Sequence, residues 1–276
     1  MIIKIIKKVL NRYGVDVVRH VSASDSLNRR LSKRLQLGFD LEDEAFDAMQ
    51  IVSKNTMLTY NRLITLYQQV VYCEKMAIVG DFVECGVWKG GGIGLMALAN
   101  IKHGNERRQL HLFDAFDDIC QPDEENDDIK LVEEVKDILK IKGKFEKELK
   151  PLSGIYDQFG GAGTLEENKS LLENKIGYPA SHINYHKGWF QDTLPFITPN
   201  QINQIAILRL DGDWYESTKV CLEYLYPKVV NGGIIIIDDY NYNIGCKKAV
   251  QDYMLKNNIK CFKSYVDAAC IYWVKR

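Results

Sequence analysis

The chain has 276 residues, 46% of them hydrophobic and 26% charged, with 36 Lys and Arg against 37 Asp and Glu. That composition excludes a disordered chain, which would be poorer in apolar side chains, and a collagen-like one, which would be far richer in Gly and Pro. A net charge of -1 exerts no global pull toward nucleic acid or an anionic membrane. The average is uneven: residues 1–40 hold nine Lys/Arg and three Asp/Glu, so a basic N-terminal part precedes an acidic remainder.

The start, MIIKIIKKVLNRYG, places Ile2, Ile3, Ile6, Val9 and Leu10 on one helical face. Lys4, Lys7 and Lys8 interrupt what would be a signal-peptide apolar region. A helix docked on this domain or on a partner subunit is expected, with a membrane-surface helix as the alternative. A homo-oligomer formed through N-terminal helices follows from the first choice. No apolar run approaches the ~18 residues needed to span a bilayer. The seven cysteines, at 73, 85, 120, 221, 246, 261 and 270, are odd in number and widely spaced. They form no disulfide framework, zinc ribbon or redox pair, and suit buried apolar positions in a reducing cytoplasm.

Residues 1–75 read as a helical extension, with apolar side chains at helical spacing through Leu63, Leu66, Val70 and Met76. From Gly80 the pattern changes. DFVECGV, QLHLFDAF, SHINYH, IAILRLDG and GGIIIIDD are short apolar or β-branched runs bounded by Gly, Asp or Pro. Helices are predicted between them over 92–103, 129–150 with 164–174, 190–203 and 214–230, then 245–257. Strands alternating with helices imply right-handed crossovers and a parallel sheet covered on both faces. The run of Ile at 234–237 suits a central strand, and residues 261–266 and 270–275 suit a closing hairpin. An α/β domain over 76–276 is therefore expected: a doubly wound sheet of five parallel strands plus a terminal pair. Its insertion, at about 117–163, opens with seven carboxylates and no base in residues 117–128, which suits a solvated loop or lid.

Ligands of such sheets bind beyond the carboxyl ends of the strands. After the first strand stand Glu84, Gly86, Gly90, Gly91 and Gly92. The dinucleotide and phosphate-loop patterns both fail here, because Trp88 and Leu95 occupy required glycine positions and no Gly-Lys-Ser/Thr ends the loop. A glycine-rich turn beside a carboxylate suits a ligand with an ammonium group and hydroxyls; a packing turn is the plainer reading. Asp114, ending the second strand, could accept two hydrogen bonds from a ribose diol or cap a helix. The fourth and fifth strands end in Asp211-Gly212-Asp213 and Asp238-Asp239. Adjacent tips force these acids together, which a hard divalent cation such as Mg²⁺ resolves. Asp213 is assigned as a cap of the following helix, leaving Asp211, Asp238 and Asp239 for the metal. Neighbouring strand residues point oppositely, so Asp238 and Asp239 share an ion only if the chain turns there. His182 and His186 are expected to be structural.

FVECGVWKGG (82–91), LHLFDAF (110–116), HKGWFQDTLP (186–195), LRLDGDWYESTKVCLEYLYPKV (208–229) and GGIIIIDDY (232–240) resemble the macrocin O-methyltransferase family. These are S-adenosylmethionine- and Mg²⁺-dependent enzymes that methylate sugar hydroxyls on antibiotics and other glycosides. The resemblance runs from about residue 55 to the C-terminus and leaves 117–163 unaligned. It implies a seven-stranded, Rossmann-like class I methyltransferase fold. It further implies that Glu84 and Gly86 lie along the methionine part of the cofactor, within the glycine-rich turn that includes Gly90 and Gly91. Asp114 would hold the ribose, Trp189 would line the adenine pocket, and Gly188 and Phe190 of the same motif would also bind the cofactor. Asp211, Asp238 and Asp239 match the family's metal acids, and Asp211 its base. Ala115 departs from the usual Ser. The acceptor is a small sugar, glycoside, glycan or nucleotide-sugar. The competing functions are a catechol-type metal-dependent methyltransferase and a non-catalytic cofactor-binding assembly module.

Overall fold

The computed structural model describes residues 38–145 and 148–276. The apolar face of Ile2 to Leu10, and the oligomer contact expected of it, lie outside the described residues. Two helices come first, α1 (Glu42–Val52) and α2 (Tyr60–Lys75), the latter started by the Thr59 hydroxyl, which accepts from the Arg62 amide. Then follow β1 (Asp81–Cys85), α3 (Gly91–His103), β2 (Leu110–Asp114), α4 (Ile129–Leu139) and α5 (Leu165–Lys169). The chain continues through β3 (Ile183–Lys187), α6 (Phe190–Gln201), β4 (Ile205–Leu210), α7 (Tyr215–Leu225) and β5 (Val229–Ile237). It ends with α8 (Ile244–Lys256), β6 (Ser264–Tyr265) and β7 (Ile271–Val274).

The seven strands form one sheet in the order β3-β2-β1-β4-β5-β7-β6. β1 to β5 are parallel, and β7 runs antiparallel to both β5 and β6. Alternate side chains feed two cores, as a pleated strand requires. Phe82, Leu110, Leu112, Ile207, Ile234 and Ile236 pack with α1, α2 and α3 on one face. Val83, Phe113, Leu208, Leu210, Ile235 and Ile237 pack with α6, α7 and α8 on the other. Both faces of β5 are thus covered, which is why four consecutive Ile suit it; each buries enough apolar surface for about 2 kcal/mol. Helices α1 and α2 share this core, and so are integral to the sheet's packing.

Several predicted boundaries move. The helix predicted over 214–230 stops at Leu225, where Pro227 enters a 3₁₀ turn and β5 begins at Val229. The one predicted over 129–150 stops at Leu139, because Lys140 takes a left-handed conformation. The stretch 164–174 becomes α5 followed by a π-helical turn over Ser170–Ile176. His182 sits in a 3₁₀ turn rather than on the third strand, and the first hairpin strand shrinks to two residues.

The acidic run 117–128 is a loop, with Asp117 and Glu125 exposed, but it is only partly solvated. Cys120, Gln121 and Asp127 are buried. Its carboxylates cap turns: Asp127 accepts from the Tyr215 amide at 2.8 Å, Asp128 from Lys130, and Asp123 from Glu125. A carboxylate satisfies the free amides of turns and helix starts, so Asp123, Asp127 and Asp128 are engaged by backbone, while Glu124 pairs with Lys136 at 2.8 Å. Around them, Cys120, Val135, Leu152 and Trp214 make a small separate apolar cluster, with Trp189 packed against it.

Candidate active site

The carboxyl ends of β1, β2, β4 and β5 open into a cavity of about 1100 Å³. Its floor is an ion network. Glu84, 1% exposed, accepts from Arg209 Nη1 at 2.5 Å. Arg209 Nη2 donates to Asp211 at 2.9 Å and to Asp238 Oδ1 at 2.6 Å. The other oxygen of Asp238 is held by Arg62, which reaches from α2 and also pairs with Asp267 at 2.7 Å. An arginine inside the otherwise apolar IAILRL strand is therefore the organiser of the site; only its position in the sequence hinted at that.

The chain does turn at Asp238, directly after β5, so that Asp211, Asp238 and Asp239 each bring an oxygen within 4.8 Å of the other two. Asp239 Oδ2 is buried without a hydrogen-bond partner among the described residues. Asp213 does not cap α7 as the sequence predicts. Trp214 occupies the cap position with no side-chain cap, while Asp213, with φ of 56°, turns its carboxyl to Asp239. Burial and the Asp211 charge push Asp213 up to about 7. Burial likewise lifts Glu84 to about 7 against the pull of Arg209, and moves Asp239 well above the carboxylate range. Six carboxylates, Asp267 included, thus face two guanidiniums. The residues fit a hard cation: an orphaned buried oxygen and a surplus of negative charge are both present. Asp238 is already gripped by two arginines, so it would offer only the lone pairs they leave.

Asp114 accepts from the amides of Val87, Trp88 and Phe116 at 2.7, 3.2 and 2.7 Å. It therefore pins the glycine-rich turn while lining the cavity. Burial raises it to about 6, opposed by those amides. Gly86, at φ of 81°, lies where any Cβ would fall 1.8 Å from the Asp211 carbonyl oxygen. Gly92 also lines the cavity and lies against Glu84. Gly90 and Gly91 do not line it; they admit the close approach of Asn168 and of the Asn55 backbone. Gly188, Trp189 and Phe190 line the far side, with Gly188 N bonded to the Asp114 carbonyl at 2.9 Å. His186 is structural as expected: it stacks on His111 with nitrogens 3.0 Å apart, and burial lowers it to about 4. Two wall segments carry no sequence signal: Asn55 to Thr59 with Arg62, and Ile155, Tyr156, Gln158 and Phe159, also line the cavity.

A family described as macrocin O-methyltransferase matches residues 12–150 and 173–275. The chain belongs to the macrocin O-methyltransferase family. The match starts well before residue 55 and runs through residue 150, so the resemblance extends further than the sequence motifs alone suggested. Only 151–172 stays unmatched within it. A tetracenomycin-C rhamnosyl 4'-O-methyltransferase of Streptomyces olivaceus is 30% identical over 219 residues, 79% of this chain and 75% of that protein. Demethyldecarbamoylnovobiocin O-methyltransferase of Streptomyces niveus is 32% identical over 222 residues, again 79% and 75%. The solved structure of the O-methyltransferase NovP superposes with a TM-score of 0.62 at 30% identity, over 80% of this chain and 82% of that one. Calicheamicin methyltransferase CalS11, at 17% identity and a TM-score of 0.53, shares the fold. This member of the macrocin O-methyltransferase family is an S-adenosylmethionine-dependent O-methyltransferase.

Proposed function

We propose that this enzyme methylates a hydroxyl of a sugar, with Mg²⁺ held by Asp211, Asp238 and Asp239. The observation that carries the metal part is the unpartnered Asp239 Oδ2 within the three-acid cluster. The relatives named for rhamnosyl and novobiocin acceptors support the sugar part. S-adenosylmethionine supplies a methyl group on a sulfonium, and a bound Mg²⁺ lowers the pKa of a coordinated hydroxyl. Glu84 sets a negative charge at the methionine end, and Gly86 and Gly92 allow close backbone approach there. Asp114 keeps one side of Oδ1 free for a ribose hydroxyl, and Trp189 with Phe190 supplies apolar wall for the adenine. Holding donor and acceptor in line contributes much of the rate, ~7–11 kcal/mol for well-oriented reactants.

Asp211 takes the proton in this reading: its side chain is 29% exposed, the most open carboxylate held by Arg209. A second reading gives the proton to Asp213, whose turn away from the helix start places it against the same cluster. A catechol acceptor is the rival chemistry. Incubation with S-adenosylmethionine and Mg²⁺ over sugar and catechol panels, read by a mass gain of one methyl, tests the function. Sugar turnover that stops in EDTA is the expected result; unchanged turnover in EDTA removes the metal. A cytoplasmic homo-oligomer is proposed alongside, and no described helix is long and apolar enough to cross a membrane.

A further inference from the structure

The glycine-rich turn after β1 is built around a strained residue. Trp88 has φ of 46°, and a non-glycine residue holds the left-handed region only where its surroundings over-determine it. The restraint is applied on both sides of Trp88. The amides of Val87 and Trp88 donate to Asp114 Oδ2 at 2.7 and 3.2 Å, and the Trp88 carbonyl accepts from Asn168 Nδ2 at 2.7 Å. Asn168, on α5, is fully buried. The same nitrogen donates to the Thr164 carbonyl at 2.9 Å, and Thr164 closes a capping box with Glu167 at the start of the helix. Trp88 Nε1 donates to the Gly161 carbonyl at 3.1 Å and Lys89 Nζ to the Gly160 carbonyl at 2.7 Å, which ties the turn to the chain that leads into α5.

The fit between Asn168 and the turn is reciprocal. Both acceptors of Asn168 are carbonyls, so its amide nitrogen has to face them and Oδ1 has to point the other way. Oδ1 then lies over Gly90, where a Cβ would fall 2.4 Å from it, and it has no hydrogen-bond partner among the described residues. Gly163 makes room beside the same peptide: its Cβ would fall 2.0 Å from the Trp88 carbonyl oxygen. A buried acceptor left without a donor destabilises the fold. A leucine of similar size would avoid that penalty but could not hold the carbonyl. Gly86, Val87 and Trp88 line the cavity together with Glu84 and Asp114, whereas Asn168 is not part of its wall.

We propose that Asn168 is a positioning residue for the cofactor site: it holds the Trp88 carbonyl, so that the strained turn keeps Asp114 and Glu84 facing the bound S-adenosylmethionine. Without that hold, Trp88 relaxes toward negative φ and the Val87 and Trp88 amides leave Asp114 Oδ2. Asp114 then loses two of the three amide donors that set its orientation. Asn168 touches no ligand and acts through Trp88. This rests on the placement of the cofactor beside Glu84 and Asp114 given above. Asn168 lies between the two matched stretches of the family, so no family motif points to it.

Calorimetry with S-adenosylhomocysteine tests the clamp. Asn168→Ala should raise its Kd about tenfold. Trp88→Gly supplies the readout that a merely structural role would not move, since glycine takes positive φ without strain. In the Trp88→Gly background, Asn168→Ala should change Kd less than about twofold. Thr164→Ala, at an exposed position, loosens the first turn of α5 and should raise Kd about threefold; it is the variant to measure if Asn168→Ala does not fold. An unchanged Kd in Asn168→Ala, or in Thr164→Ala where that is the variant that folds, overturns the proposal. So does an equal loss in both backgrounds, which would make Asn168 a packing residue of α5. Wild-type protein that binds no S-adenosylhomocysteine overturns the placement of the cofactor itself, whereas wild-type binding that Asn168→Ala leaves intact overturns the clamp alone.

Discussion

Arg62 on α2 donates to one oxygen of Asp238 at the end of β5, across 176 residues of sequence, while Arg209 donates to the other. A buried carboxylate held on both oxygens depends on both partners, since either loss leaves an uncompensated charge in a low-dielectric site. Asp238 and Arg62 side chains are 5% and 16% exposed. Arg62→Leu is therefore expected to cost about 3 kcal/mol of stability in metal-free protein. Urea denaturation with and without Mg²⁺ measures it. Added Mg²⁺ should recover part of the loss, and an equal loss in both conditions would separate Arg62 from the cation site.

Asp239 carries the orphaned oxygen. Asp239→Asn should lower turnover at least a hundredfold, roughly 2.7 kcal/mol, yet leave S-adenosylhomocysteine binding within threefold. Mn²⁺ binding followed by electron paramagnetic resonance gives a second readout: weaker binding is expected, and unaltered binding contradicts the assignment.

Glu84 lies at the other end of the network. Hydrogen bonds to charged groups contribute about 1.5–3 kcal/mol, so Glu84→Gln should weaken cofactor binding roughly ten- to a hundredfold by calorimetry. Arg209 keeps Asp211 and Asp238 as partners in that variant, and Mg²⁺ affinity should move far less than cofactor affinity.

The buried acids also set a pH dependence. Glu84 and Asp213 are pushed up to about 7, and Asp114 and Asp127 to about 6, from ordinary values of 4.5 and 3.8. The native state thus holds protons more tightly than the unfolded chain. Its stabilisation is complete below the unfolded values and is lost as pH rises to 6–7. The Tm of metal- and cofactor-free protein should fall between pH 5 and pH 8, and saturating Mg²⁺ should reduce the fall. A Tm that rises over that interval would falsify the burial of these groups.

Much of this was legible in one dimension. Alternation of short apolar runs with helical stretches determined a doubly wound sheet, because a strand covered on both faces has to read as the Ile234–Ile237 run does. Parallel strands bring their carboxyl ends to one edge, so Glu84, Asp114, Asp211 and Asp238 were bound to meet wherever the strands ended. Family motifs added the cofactor and the reaction.

Other properties required the packed chain. Asp213 looks like a helix cap from its place before Trp214, and only its left-handed backbone sends it to Asp239 instead. Gly90 and Gly91 read as ligand glycines until Asn55 and Asn168 close over them. The acid run at 117–128 reads as fully solvated until Asp127 and Asp128 find the amides of Tyr215 and Lys130. Periodicity reports which face of an element is buried, but not which distant side chain arrives there. The sequence by itself therefore determined the sheet and the acids at its edge; the tertiary structure decided which acids are neutralised by Arg62 and Arg209, and which remain for a ligand.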